Sequence, residues 1–167
     1  MVQIHKNRAE GNAFEKLFLL QSRRNGLLAT KNNLTAKYLP TGRLLVEKSE
    51  LDYRLVNQAG RVGYFDCKSF AESHFTYSTI DVEQIKRAAT HNFWSVPAGF
   101  VIWFRAVDVV AFFSGRQIEK EGPRSRFEFN HGLKLGKFHE FDLRLLLTPK
   151  NNTVQTTVSP SILQLSS

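Results

Sequence analysis

The sequence has little of what staples a small fold together. Its single cysteine, Cys67, excludes an internal disulfide and a multi-thiolate zinc site, so stability has to come from a packed core. No stretch approaches the ~20 consecutive apolar residues of a membrane-spanning helix, and the opening MVQIHKNRAEG lacks the apolar run of a signal peptide. These absences lead us to expect a soluble cytoplasmic protein. Acidic residues are the scarcer charge: 15 Asp+Glu against 23 Lys+Arg leave a net charge of +8, which repels cationic partners and favours polyanions, either nucleic acid or an acidic membrane surface. Neither an internal repeat nor a low-complexity tract divides the chain. What is plentiful is phenylalanine, 14 in a chain of 167 residues that is 42% hydrophobic. That is enough for one core and too short for two full-sized domains. Residues 1–150 are read as the domain and 151–167, rich in Asn, Thr and Ser, as a mobile tail.

Residues 8–24 place Ala13, Phe14, Leu17, Phe18 and Leu20 near helical spacing, with Arg23 and Arg24 in the last turn. From Asn25 to Thr35 the chain reads as a connector without a deep core role. A turn at Pro40-Thr41-Gly42 then leads into RLLVEK, a short strand. A second helix is expected from Ser78, as its start signal, to about Phe93, with Ile80, Ile85, Ala88 and Ala89 on its apolar side. GFVIWFR and VDVVAFFSG are near-continuous apolar runs, as expected of strands at the centre of a sheet covered on both faces. Beyond Gly122-Pro123 the pattern weakens, with RFEFN and FDLRLLL as candidate strands.

The most informative segment is LDYRLVN followed by RVGYFDCKSF, with Gln58-Ala59-Gly60 between them. A three-residue loop ending in Gly fits a hairpin closed by a left-handed residue, which sets Asn57 opposite Arg61 and therefore Asp52 opposite Asp66. Alternation along the strand points Asp66 and Lys68 to one face, and Phe65 and Cys67 to the other. Two carboxylates facing each other raise one another's pKa unless a cation neutralises them. Hard oxygen ligands suit Mg²⁺ or Mn²⁺, and Mg²⁺ takes one or two carboxylates together with substrate phosphate oxygens and waters. A lysine two residues from one carboxylate supplies positive charge to a phosphorane-like transition state. The pattern therefore points to phosphodiester hydrolysis. Glu15 can join this centre, because it lies three and four residues before Phe18 and Leu19 at the edge of the first helix's apolar stripe.

The order of these residues resembles the PD-(D/E)XK nuclease superfamily. Gly11 to Glu15 gives G-x-x-x-E in a helix, Asp52 enters a strand, GYFDCKSF follows, and Gln84 lies in the next helix. Within the superfamily the sequence is most similar to Holliday-junction resolvases of the Hjc and RecU types, over residues 8–113. Asp66 stands where the resolvases usually carry Glu, and no proline precedes Asp52. The resemblance implies a mixed α/β fold with a central mixed sheet flanked by helices. It also implies Mg²⁺-dependent cleavage, with Mn²⁺ able to substitute, and a homodimer acting on four-way DNA junctions in a prokaryotic, archaeal or virus-infected cytoplasm. Carried over position by position, Glu15, Asp52 and Asp66 are metal ligands, Lys68 is the catalytic lysine and Gln84 supports the site. The alternatives are a restriction-type, repair or nicking enzyme acting on duplex DNA, and a non-catalytic basic nucleic-acid-binding protein.

Arg23, Arg24, His74, Ser78, Lys86 and Arg87 are candidate DNA contacts, through charge or through hydroxyl and backbone N–H groups. The five histidines, His5, His74, His91, His131 and His139, show no metal-ligand spacing. Trp94 and Trp103 are expected in the core because their neighbours are apolar, and Cys67 is expected to be a buried small hydrophobe facing away from the carboxylates.

Overall fold

The structure is a computed structural model that describes residues 2–32, 35–38, 41, 44–47 and 51–149, with side chains described for 9–32, 41 and 51–149. The expected tail 151–167, Pro40, Gly42 and the side chain of His5 lie outside these residues. In chain order the elements are α1 (Val2–Arg24), β1 (Leu28–Lys31), β2 (Thr35–Tyr38), β3 (Leu44–Glu47), β4 (Tyr53–Val56), β5 (Val62–Phe70) and β6 (His74–Thr76). Then come α2 (Val82–Phe93), β7 (Ala98–Phe104), β8 (Val109–Ser114), α3 (Gly115–Glu121), β9 (Arg126–Glu128), β10 (Leu133–Lys137) and β11 (Glu140–Phe141). A seven-stranded mixed sheet runs β1-β4-β5-β7-β8-β10-β11, and the pairs β2-β3 and β6-β9 form two small sheets. The β5-β7 pair is parallel, with α2 as its crossover.

The central strands are apolar on both sides because both sides are covered. Phe100, Ile102, Phe104, Ala111 and Phe113 pack with Ile85 and Ala88 of α2 and Ile118 of α3 in one cluster. Tyr53, Leu55, Phe65, Val101 and Val110 pack with Phe14 and Phe18 of α1 in the other. Burying each such Phe contributes about 1.5–3 kcal/mol, so the core stands without a staple. The β4-β5 hairpin has the expected register, Tyr53 opposite Phe65 through Val56 opposite Val62. Asn57 N–H donates to Arg61 O, and Gly60 takes φ 75°, the left-handed conformation that closes the turn.

Several expectations need correction. The first helix starts at Val2 rather than residue 8. The supposed connector holds an edge strand, β1, paired antiparallel with β4, and Leu27 is buried in the α1-side core. Its four residues, LATK, are too few and too polar to show a period in the sequence. Helix α2 begins at Val82 and is capped by Asp81, whose carboxylate accepts Glu83 N–H. Ser78 instead sits in a 3₁₀ turn over Tyr77–Thr79. Most of FDLRLLL is a 3₁₀ turn over Leu143–Leu146, closed by Asp142, rather than a strand. Helix α3 was not anticipated.

Candidate active site

Strand β5 carries the centre. Its alternation sends Phe65 and Cys67 into the α1-side core, and Tyr64, Asp66, Lys68 and Phe70 toward α2. Asp52 lies in the bend just before β4, where Leu51 plugs the α2-side core. Asn32 holds that bend by donating its backbone N–H to Asp52 O at 2.7 Å and its side-chain amide to Leu51 O at 2.7 Å. Continued one residue past the Tyr53–Phe65 pair, the register sets Asp52 opposite Asp66, near enough for its carboxyl to raise the Asp66 pKa.

Asp66 is 1% exposed, yet its Oδ2 lies 2.6 Å from Lys68 Nζ. This buried oxygen has the Lys68 ammonium as its ion-pair partner, and no neutral donor completes its hydrogen bonding. Burial pushes the Asp66 pKa up to about 6, against the lowering pull of the Lys68 charge, and the facing Asp52 carboxyl raises it further. A buried, under-satisfied, acid-paired carboxylate is a place where a hard divalent cation fits. Asp52 and Asp66 are the residues able to hold one.

Glu15 is placed differently. Its Oε2 accepts from Tyr53 Oη at 2.6 Å and from Lys31 Nζ at 2.8 Å, on the α1 side of the hairpin. Burial works to raise its pKa, but the Lys31 and Tyr53 bonds outweigh it and the net shift is downward, with the Lys68 charge also contributing. Among the described residues no three His, Cys, Asp or Glu side chains are gathered to hold a metal ion, so Glu15 is not brought into one ligand set with Asp52 and Asp66. It is close enough to feel Lys68 electrostatically while being held by its own two partners.

Lys31 and Tyr53 are the site residues that sequence reasoning missed. Lys31 sits in the segment read as a connector, and its ammonium lies 5.5 Å from the Tyr53 ring centroid. Tyr53, alternating away from Asp52, reads as an ordinary core residue, and its ring does pack on Phe18. Only the approach of α1 reveals its hydroxyl as a donor to Glu15. Burial and the Glu15 bond hold that hydroxyl protonated well above the usual tyrosine range.

The remaining candidates are spread over the surface. Gln84 is half-buried in the first turn of α2, the helix that covers the Asp66 face. His74 is half-buried in β6, and Ser78 Oγ lies 3.1 Å from Thr76 Oγ1. Lys86 pairs with Glu83 at 3.0 Å, and Arg87 is half-buried on the same helix. Arg23 and Arg24 are exposed at the end of α1, on the order of 12 Å along the helix from Glu15. Cys67 lies on the α1 side of the sheet, against the α1-side core, and burial raises its thiol pKa. Trp103 packs in that core, stacked on Phe138 at 3.8 Å, but Trp94 is 72% exposed, contrary to the core position expected.

No family model matches the sequence, and no curated protein matches it. Among solved structures the fold is similar to that of Archaeoglobus fulgidus Hjc, a Holliday junction resolvase from an archaeal hyperthermophile. The TM-score is 0.53 at 15% identity, covering 74% of this chain and 95% of that one. The chain thus has a mixed α/β fold similar to that of Hjc, with a central mixed sheet flanked by helices as the resemblance implied. No described helix is long and apolar enough to cross a membrane.

Proposed function

We propose that this protein is a Mg²⁺-dependent endodeoxyribonuclease that resolves four-way DNA junctions as a homodimer, with Mn²⁺ able to replace Mg²⁺. The observation that carries this reading is the buried Asp66 carboxylate facing Asp52, with the Lys68 ammonium 2.6 Å away, on a fold similar to Hjc. Asp52 and Asp66 would hold the metal, and the bound metal would supply neutralising charge for the scissile phosphate and a more acidic water. Lys68 is 29% exposed, so its ammonium reaches both Asp66 and solvent and can orient a water or offset charge developing on the phosphoryl oxygens. Glu15, kept ionised by Tyr53 and Lys31, adds negative charge behind this centre. A net charge of +8 supplies the sequence-independent hold on the phosphate backbone. Resolution requires two cuts on one junction, which a two-fold pair of chains delivers.

The test compares cleavage of a synthetic four-way junction and a linear duplex of the same sequence, with Mg²⁺, with Mn²⁺ and with excess EDTA, for wild type and for Asp66→Ala and Lys68→Ala. Metal-dependent symmetric nicking of the junction, lost in both variants while binding persists, is expected. Equal cutting of the duplex would reassign the chain to a duplex nuclease. Unchanged nucleic-acid function in both variants would make it a binding protein, and cutting in excess EDTA would remove the metal.

A further inference from the structure

The C-terminal end of α2 carries a pair of aromatic side chains that the core does not use. Phe93 is 73% exposed and Trp94 72%, and their rings meet edge to face with centroids 5.4 Å apart. The turn that presents them is firmly held. Asn92 donates its side-chain amide to Val96 O and Ala98 O at 3.1 and 3.0 Å, and its Oδ1 accepts Arg116 N–H at 3.0 Å. Val96 N–H returns to His91 O, and Ser95 is fixed at φ 61°, a left-handed conformation that a serine adopts only at a cost. A built, strained turn that exposes two large aromatic rings calls for an occupant.

The neighbourhood indicates what that occupant is. One turn back, His91 stacks on Tyr64 with ring centroids 4.5 Å apart. Tyr64 lies two residues before Asp66 on the same face of β5, about 7 Å along the strand, which places the aromatic pair on the order of 15 Å from the acidic centre. Exposed cations flank the path: Arg54 is the direct cross-strand partner of Tyr64, and Arg116, in the first turn of α3, donates its backbone N–H to Asn92. The rings themselves offer about 350 Å² at most, well short of the roughly 800 Å² per partner that a stable protein interface buries. Flat aromatic area between cations suits the faces of nucleobases.

We propose that Phe93 and Trp94 stack on an unpaired nucleobase, holding the DNA strand whose phosphate reaches Asp66 and Lys68. The proposal rests on the DNA-directed reading of the site, and it assigns a preference for DNA with unstacked bases, since a paired duplex hides its base faces. Binding is measured in EDTA, where no cutting occurs, with a single-stranded oligonucleotide and a fully paired duplex. The probe protein is Trp103→Phe, in which Trp94 is the sole tryptophan. Single strand should quench Trp94 emission and duplex should not. The double variant F93A/W94A should lose roughly 5- to 150-fold in single-strand affinity with duplex affinity nearly unchanged, and Trp94→Tyr should retain most of it. Undiminished single-strand affinity of the double variant, or unaltered Trp94 emission, overturns the proposal. So does a wild-type dimer that becomes monomeric in the double variant while single-strand and duplex binding fall together, which would assign the pair to contact between copies. Quenching without any nuclease activity would leave stacking intact and defeat the cleavage reading, whereas cleavage without quenching would do the reverse.

Discussion

Replacing Asp66 by Asn should make the protein more stable while abolishing its chemistry. The Asp66 carboxyl is 1% exposed, and its pKa is raised from 3.8 to about 6, so at neutral pH the folded chain holds an anion that the unfolded chain would hydrate at less cost. At 1.36 kcal/mol per pKa unit, the destabilisation at pH 7.5 is on the order of 3 kcal/mol. The folded state binds more protons than the unfolded state between about pH 4 and pH 6, so wild-type stability falls as pH rises through that window. A neutral amide of the same shape escapes the penalty. Asp66→Asn should therefore melt about 6–12 °C above wild type at pH 7.5 in EDTA, and the difference should vanish near pH 3.5, where wild-type Asp66 is already protonated. Thermal unfolding by circular dichroism at the two pH values measures this directly. Added Mg²⁺ should raise the melting temperature of the wild type and leave the variant unmoved, because a cation bound only by the folded state stabilises it by mass action. A variant no more stable than wild type at pH 7.5, or a gain equally large at pH 3.5, would refute the argument from burial.

Three further outcomes follow from the same geometry. Lys68→Met removes the charge that lowers the Asp66 pKa; cleavage should fall by two orders of magnitude or more with DNA affinity largely kept, and in a thermal titration the decline of stability should start near pH 4 as in wild type but continue to a higher pH before levelling off. Tyr53→Phe deletes the 2.6 Å hydrogen bond to Glu15; it should cost about 1 kcal/mol in denaturant unfolding, and the Glu15 pKa, read by carboxyl NMR, should rise. Gly99→Ala should fail to fold or lose more than about 3 kcal/mol, because at φ 157° an added Cβ would meet Phe113 O at 2.1 Å, and expression yield with denaturant midpoint reports it.

The hairpin shows how much of the site was legible in one dimension. A loop length and a glycine set the register, the register set Asp52 against Asp66, and strand alternation set Lys68 beside Asp66 and Cys67 behind it; each is a local rule with a fixed period. The double-sided apolar character of β7 and β8 was likewise written in consecutive residues, because a strand buried on both faces has no polar side to show. Where the reading failed, the deciding interaction came from elsewhere in the chain. Residues 28–31 become a strand because β4 offers them an edge, and their own composition does not ask for it. Trp94 reads as core from its neighbours, but the turn fixed by Asn92 carries it out to solvent. Glu15 looks free to join the carboxylates until α1 docks and delivers it to Tyr53 and Lys31. The sequence by itself determined the acidic pair, its lysine and the sheet that holds them, since these depend on spacings of a few residues. Tertiary structure alone decided which groups approach that centre from the helices and the edge strand, and how deeply Asp66 is buried, since both depend on packing between segments tens of residues apart.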